Sequence, residues 1–276
     1  MHRLFRVLSV LIVTIASTTG VMAATYNKLY VFGDSYSDIG AGYLDGNGPT
    51  AVAYLAQKMN IPLTHSNDPH ADNQSIDFAV TAAGTGTNPG QRIGGYLLMV
   101  GMMNQVQDFA ARVHSKSIIF NPDTTLIFIL GGLNDGDVPT KTTIDNLTRE
   151  IEILKAAGAR HVTLGLLPTK VPDFAKVGSR LNPAYIHLVA AMRRKLGIDI
   201  QLNHFGQYVD EVLENPSRYG IVNTDKPCAG RALFGEDPTP CKAPDTYFYF
   251  HSGHPSTAVN KILADKLYAE IGASTH

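Results

Sequence analysis

Short apolar runs alternate along the chain with longer stretches in which apolar residues recur every three or four positions. Runs of the first kind fit strands of a buried parallel sheet, and the longer stretches fit helices laid on its faces. The clearest run is TLIFIL at 125–130, uninterrupted and closed by Gly131-Gly132. With KLYVF at 28–32, the segment 75–80, HVTLGL at 161–166 and 198–202, it makes five predicted strands. Helices are predicted over 49–59, where Ala51, Val52, Leu55, Ala56 and Met59 share a face, and over 97–113, 142–157 and 205–214. Gly158 reads as the left-handed stop of the third. Two more are predicted over 183–196, with Asn182 as N-cap and Pro183 at the first helical position, and over 256–271, capped by Ser256. Residues 217–247 read mostly as loop.

This βα order predicts one doubly wound α/β domain from residue 24 to 276, without repeats or an internal linker. In such sheets ligands gather beyond the carboxyl ends of the strands, near the switch in strand order. Those loops are where chemistry is expected.

The 276 residues are 44% hydrophobic and 17% charged, enough for a sizeable core. A formal net charge of -1, with no basic block past the first residues, argues against a nucleic-acid partner. His2, Arg3 and Arg6 precede the apolar run 7–15, and Val21-Met22-Ala23 follows as a cleavage pattern. A signal peptide over 1–23 and a secreted or periplasmic protein are expected. Ser9, Thr14 and the polar residues 17–19 interrupt the run, which argues against an uncleaved anchor. In an exported chain, Cys228 and Cys241 read as a local disulfide.

Two strand ends and the segment before the last helix carry candidate chemistry. Gly33-Asp34-Ser35-Tyr36-Ser37-Asp38 places a hydroxyl beyond the first strand, on a glycine-permitted turn. Gly132-Leu133-Asn134-Asp135 places an amide, able to donate to a developing oxyanion, at the same edge. Before the last helix, Phe250-His251-Ser252-Gly253-His254-Pro255 offers a histidine able to act as general base. Each pattern taken alone is also ordinary turn chemistry. His251 and His254 have no third ligand at a motif spacing, so neither a metal nor an organic cofactor is expected.

Taken together, these blocks resemble the SGNH or GDSL family of serine esterases and lipases, through essentially the whole mature chain and in the family's order. The similarity is greatest to the branch holding secreted phospholipases, lysophospholipases, haemolysin-like acyltransferases and the plant GDSL esterases. Gly33-Asp34-Ser35 matches the nucleophile block, Gly132-Leu133-Asn134-Asp135 the GxND block and His254-Pro255 the last block. Residues 77–82 stand at the family's oxyanion loop. The resemblance implies a three-layer α/β/α sandwich, flavodoxin-like, on a five-stranded parallel sheet. It also implies ester hydrolysis through an acyl-enzyme on Ser35, with His254 as base and an oxyanion hole from the Ser35 and Ala82 backbone N–H groups and the Asn134 side chain.

The chain departs from the family pattern twice. Thr81 and Ala82 stand where the family has two glycines, and His251 stands three residues before His254, where the family has its catalytic aspartate. Three outcomes follow: a serine-histidine dyad oriented by a backbone carbonyl or by His251, a carboxylate such as Asp245 folding back, or a weak relative. The leading reading is hydrolysis of a small-molecule or lipid ester. A phospholipase, lysophospholipase or acyltransferase in transient contact with a membrane surface is the alternative. A secreted, catalytically silent lipid- or glycan-binding protein is the reading of another class. Residues 60–73, 88–95 and 170–182 are the expected pocket walls, and oligomeric state leaves no trace in the sequence.

Overall fold

The computed structural model describes residues 26–273, so the expected signal peptide lies outside the described residues. The strands are β1 (Lys28–Gly33), β2 (Leu63–His65), β3 (Ser75–Asp77), β4 (Pro89–Ile93), β5 (Tyr96–Val100), β6 (Thr125–Leu130), β7 (His161–Gly165), β8 (Asp199–Asn203), β9 (Tyr249–His251) and β10 (His254–Pro255). The helices are α1 (Ala51–Lys58), α2 (Met102–His114), α3 (Thr140–Ala156), α4 (Ala175–Leu196), α5 (Phe205–Glu214) and α6 (Thr257–Ala273). Six strands form a parallel sheet in the order β2-β3-β1-β6-β7-β8. On one side α1 packs on α6 and α6 on α5, while α2 packs on α3 and α3 on α4.

β1 and β6 form the spine, paired from Lys28↔Thr125 to Gly33↔Leu130. All of β6 and all but the first residue of β1 are buried, which is why these runs are apolar without alternation. Tyr30, Phe32, Phe78 and Phe109 cluster against them, with the Phe32 and Phe78 rings stacked at 5.2 Å. Burial of each such ring contributes about 2–3 kcal/mol. After β1 the chain winds toward β3 and β2, then crosses to β6 and continues outward. The switch in order therefore falls at the carboxyl end of β1, where Ser35 follows.

The sheet has six strands, one more than expected. The addition, β2, is a half-buried edge of three residues inside the segment 60–73 expected to be pocket wall. The first part of the helix expected from residue 97 is instead β5, paired with β4 around Gly94-Gly95, both at positive φ. The helix itself waits for Met102, after Gly101, where a Cβ would lie 2.0 Å from the Gly86 carbonyl oxygen. The strand expected over 75–80 pairs regularly only to Asp77. The helix expected from Pro183 begins at Ala175 and holds the proline in its interior. Asn182 is not its cap: the side chain accepts from the Leu167 N–H and donates to the Leu167 carbonyl, fastening α4 to the chain beyond β7. Ser256 does serve the last helix, its hydroxyl accepting from the Val259 N–H at 3.4 Å.

Candidate active site

Beyond β1 the chain turns on its own polar groups. The Asp34 carbonyl accepts from the N–H groups of Ser37 and Asp38, and its carboxylate accepts from Tyr36 N–H at 3.1 Å. Burial, opposed by that N–H and assisted by Asp135 and Asp38, pushes the Asp34 carboxyl up to about 7. From α2, Gln105 grips both the N–H and the carbonyl of Gly33, at 3.0 and 2.9 Å, and so fixes the strand end from which the serine springs. Ser35 Oγ then lies 2.7 Å from His254 Nε2.

The histidine is brought back by the short β9–β10 hairpin, which turns at Gly253 with φ +70°. Tyr36 Oη donates to the Gly253 carbonyl at 2.6 Å and ties this hairpin to the nucleophile turn. His254 Nδ1 lies 2.8 Å from the Ser252 carbonyl oxygen. With its hydrogen on Nδ1 the ring donates to that carbonyl and presents the Nε2 lone pair to Ser35, while Arg231 Nη2, which only donates, stands 2.9 Å from the same Nδ1 and favours the other tautomer. The Tyr36 ring packs tilted against the imidazole at 5.5 Å, and the Phe174 ring meets it edge-on at 6.2 Å. Burial lowers the pKa of His254 below its ordinary value. Asp45 and the Ser252 carbonyl oppose that shift, and the charges of Arg231 and His251 add to it. The imidazole is therefore neutral at pH 7, the form in which it can accept a proton.

Two further backbone segments converge on Ser35. Asp38 accepts from Thr81 N–H at 2.8 Å and from the N–H groups of Gly40 and Gly42, which draws the loop after β3 onto the nucleophile loop. The next residue, Ala82, has φ +65° and lines the cavity with Ser35, Asn134 and His254. Asn134 Nδ2 donates one hydrogen to the Ala83 carbonyl at 3.0 Å, leaving its second donor for a ligand. Asp135, buried, accepts from the N–H and hydroxyl of Thr85 and from the Thr143 hydroxyl. This is the structural task of the acid beside Asn134. Alanine in left-handed backbone is strained where glycine is not. Ala82→Gly is accordingly expected to raise stability by about 0.5–1 kcal/mol, read as a higher urea midpoint with unchanged slope.

Ser35, Ala82, Asn134 and His254 share a cavity of about 280 Å³ with Tyr43, Leu98, Asp173, Phe174, Leu233 and Phe234 on its walls. Of the expected walls, only the segment 170–182 reaches it, through Asp173 and Phe174. Leu98 comes from β5, and Leu233 and Phe234 from the loop closed by the Cys228–Cys241 disulfide. Neither side chain suggested as orienter hydrogen-bonds His254. Asp245 is exposed in the turn Pro244–Thr246, and His251 Nδ1 faces Asp45 Oδ1 at 3.1 Å.

Asp45, to which the sequence drew no attention, is the carboxylate that approaches the base, with Oδ2 3.7 Å from Nε2. Arg231 Nε lies 2.8 Å from Asp45 Oδ1 but off the N–H axis, an ion pair without a directed hydrogen bond. The same guanidinium donates to the Ser252 carbonyl and has Nη2 2.9 Å from His254 Nδ1. Asp45 belongs to no motif, and Arg231 sits in a stretch that reads as loop, so only the closed chain joins them to the site. Among the described residues, no group of three or more His, Cys, Asp or Glu side chains is placed to hold a metal.

A serine hydrogen-bonded to a buried histidine, beside an amide donor at the switch point of a parallel sheet, is a constellation that fits a serine hydrolase. Residues 29–267 match the model of the GDSL-like lipase/acylhydrolase family, and the chain belongs to that family. By that membership it is an ester hydrolase. GDSL esterase/lipase 7 of Arabidopsis thaliana is 23% identical over 280 residues, covering 81% of this chain and 76% of that protein. GDSL esterase/lipase At1g29660 from the same plant is 34% identical over 73 residues, only 24% of this chain and 20% of the plant protein. Among solved structures, a member of the lipolytic protein G-D-S-L family from Veillonella parvula is similar over 87% of this chain and 94% of its own, with 16% identity and a TM-score of 0.49.

Proposed function

We propose that the protein is an exported enzyme that hydrolyses carboxylic esters through an acyl-enzyme on Ser35. The observation carrying this reading is the 2.7 Å contact between Ser35 Oγ and His254 Nε2 in a cavity that Ala82 and Asn134 also line. Ser35 Oγ attacks the ester carbonyl carbon as His254 Nε2 takes its proton. The oxyanion so formed is held by the backbone N–H groups of Ser35 and Ala82 and by Asn134 Nδ2. Collapse expels the alcohol, which leaves with the proton from His254. Water, activated by the same nitrogen, then attacks the acyl carbon and frees Ser35 and the acid.

In this scheme the Ser252 carbonyl orients the base, so Ser35 and His254 work as a dyad without the usual aspartate behind Nδ1. The disulfide and the N-terminal pattern support export. Tyr96 and Phe234, 46% and 59% exposed, favour a second reading in which the ester is presented by a lipid surface. Reaction with a fluorophosphonate tests the assignment. Stoichiometric labelling at Ser35 with loss of p-nitrophenyl acetate hydrolysis is expected, and an enzyme that stays active and unlabelled would overturn it. Phospholipid vesicles assayed beside short soluble esters separate the two substrate readings.

A further inference from the structure

Taking the Ser35 proton leaves a buried imidazolium, and a buried cation without a compensating charge is costly. The residue three positions before the base is His251, which carries no negative charge to offer when neutral. The groups around His254 are the Ser252 carbonyl and Arg231 at Nδ1, the Tyr36 and Phe174 rings, His251 across the hairpin, and Asp45 on the Nε2 side. Asp173 lies farther out, exposed, 3.3 Å from the Ser252 hydroxyl. Asp45 is the buried carboxylate of this set, its side chain 4% exposed.

The way Asp45 is held shows which of its oxygens is available. Oδ1 takes both partners, His251 Nδ1 at 3.1 Å and Arg231 Nε at 2.8 Å. Oδ2 is left turned toward His254 Nε2, at 3.7 Å. That separation is too long for a hydrogen bond and short for an interaction between charges in a buried site. We propose that Asp45 is a positioning residue acting through His254: from the nucleophile's own loop it supplies the negative charge absent at position 251, while Arg231 and His251 hold it in place. The inference rests on Ser35 and His254 being nucleophile and base.

The two tasks of a triad aspartate, fixing the tautomer and stabilising the imidazolium, are thereby divided. The Ser252 carbonyl performs the first from Nδ1, and Asp45 performs the second from the other edge of the ring. The charge state of Asp45 agrees. Burial alone would raise its pKa, but the hydrogen bond from His251 and the charges of His254 and Arg231 outweigh burial and hold the carboxyl below its ordinary value. Arg231 opposes protonation of His254, and Asp45 favours it more strongly. The two neighbours therefore predict shifts of opposite sign.

The test is the pH profile of kcat/KM for p-nitrophenyl acetate, whose acid limb follows deprotonation of the base in free enzyme. In Asp45→Asn the acid limb is expected to move down by about one pH unit, and kcat to fall by about 10- to 100-fold with KM nearly unchanged. In Arg231→Gln the limb is expected to move up. His251→Asp placed on Asp45→Asn returns a carboxylate to the hairpin and is expected to recover part of kcat. An Asp45→Asn enzyme with the parental midpoint overturns the proposal whatever its kcat, because a purely structural role would lower activity without moving the midpoint. Should Asp45→Asn not fold, Asp45→Ser, which also removes the carboxylate, takes its place, and an unmoved midpoint there overturns the proposal equally. Activity surviving Ser35→Ala would remove the reading beneath the proposal, whereas an unmoved midpoint in a Ser35-dependent enzyme removes only the role of Asp45.

Discussion

Ser35→Ala and His254→Ala are each expected to lower kcat for a soluble ester by on the order of 10⁴-fold or more, and the double variant to be no slower than either single one. In the proposed mechanism the two residues perform one step. Without the hydroxyl there is no acyl-enzyme, and without Nε2 the hydroxyl keeps its proton at pH 7. Once either is gone, removing the other takes away nothing further. The contacts holding the pair, from Tyr36 to the Gly253 carbonyl and from Gln105 to Gly33, do not involve the Ser35 hydroxyl. Stability of Ser35→Ala should therefore stay close to that of the parent, so lost activity there reports on chemistry. Steady-state rates of the three variants, with thermal unfolding of each, check the expectation. Multiplicative losses in the double variant would mean that serine and histidine act in separate steps.

Gly33→Ala should produce a large loss of stability for the smallest change of side chain. A Cβ there would lie 2.1 Å from the Leu130 carbonyl oxygen and 3.1 Å from its carbon, on the strand paired with Gly33. The obstacle is backbone, not the end of a flexible side chain, so β1 and β6 must move apart at the centre of the sheet. Gln105 holds the same residue from α2 at both its N–H and its carbonyl and resists that movement. Overpacking of this kind costs about 3 kcal/mol, or on the order of 10 °C in Tm for a domain of this size. Activity should fall as well, since Ser35 is two residues on. Urea unfolding and ester hydrolysis on one preparation measure both, and a midpoint equal to the parent's would contradict so close an approach of β1 to β6.

The parts of the fold readable from sequence are those in which burial governs composition. β6 is apolar throughout because both its faces are covered, and the helical spacing in 51–58 reflects one face pressed on the core. β2 was hidden because three half-buried residues at an edge need no pattern. The β4–β5 hairpin is masked for another reason: Leu97, Leu98, Met99 and Val100 fit the face of a helix as well as a strand. The adjacent Gly94-Gly95 is a two-residue turn signal that favours the hairpin. Pro183 resembled a helix start, yet α4 had already run eight residues before it. In the candidate site, the sequence points to Ser35 and Asn134 because each follows a strand end, and to His254 because it precedes the last helix, all three in the family's order. It does not point to Asp45, since its partner His251 is 206 positions away and nothing local distinguishes it from any carboxylate in a glycine-rich loop.

The contact of Ser35 with His254 joins residues 219 positions apart. A chain that has formed β1, β6 and most of the sheet still presents an ordinary hydroxyl until the β9–β10 hairpin docks near its far end. Timing is thus built into the connectivity. If Ser35 and His254 act as proposed, a polypeptide still being synthesised has a nucleophile with no base beside it, and hydrolysis begins only when the last loop has reached the first.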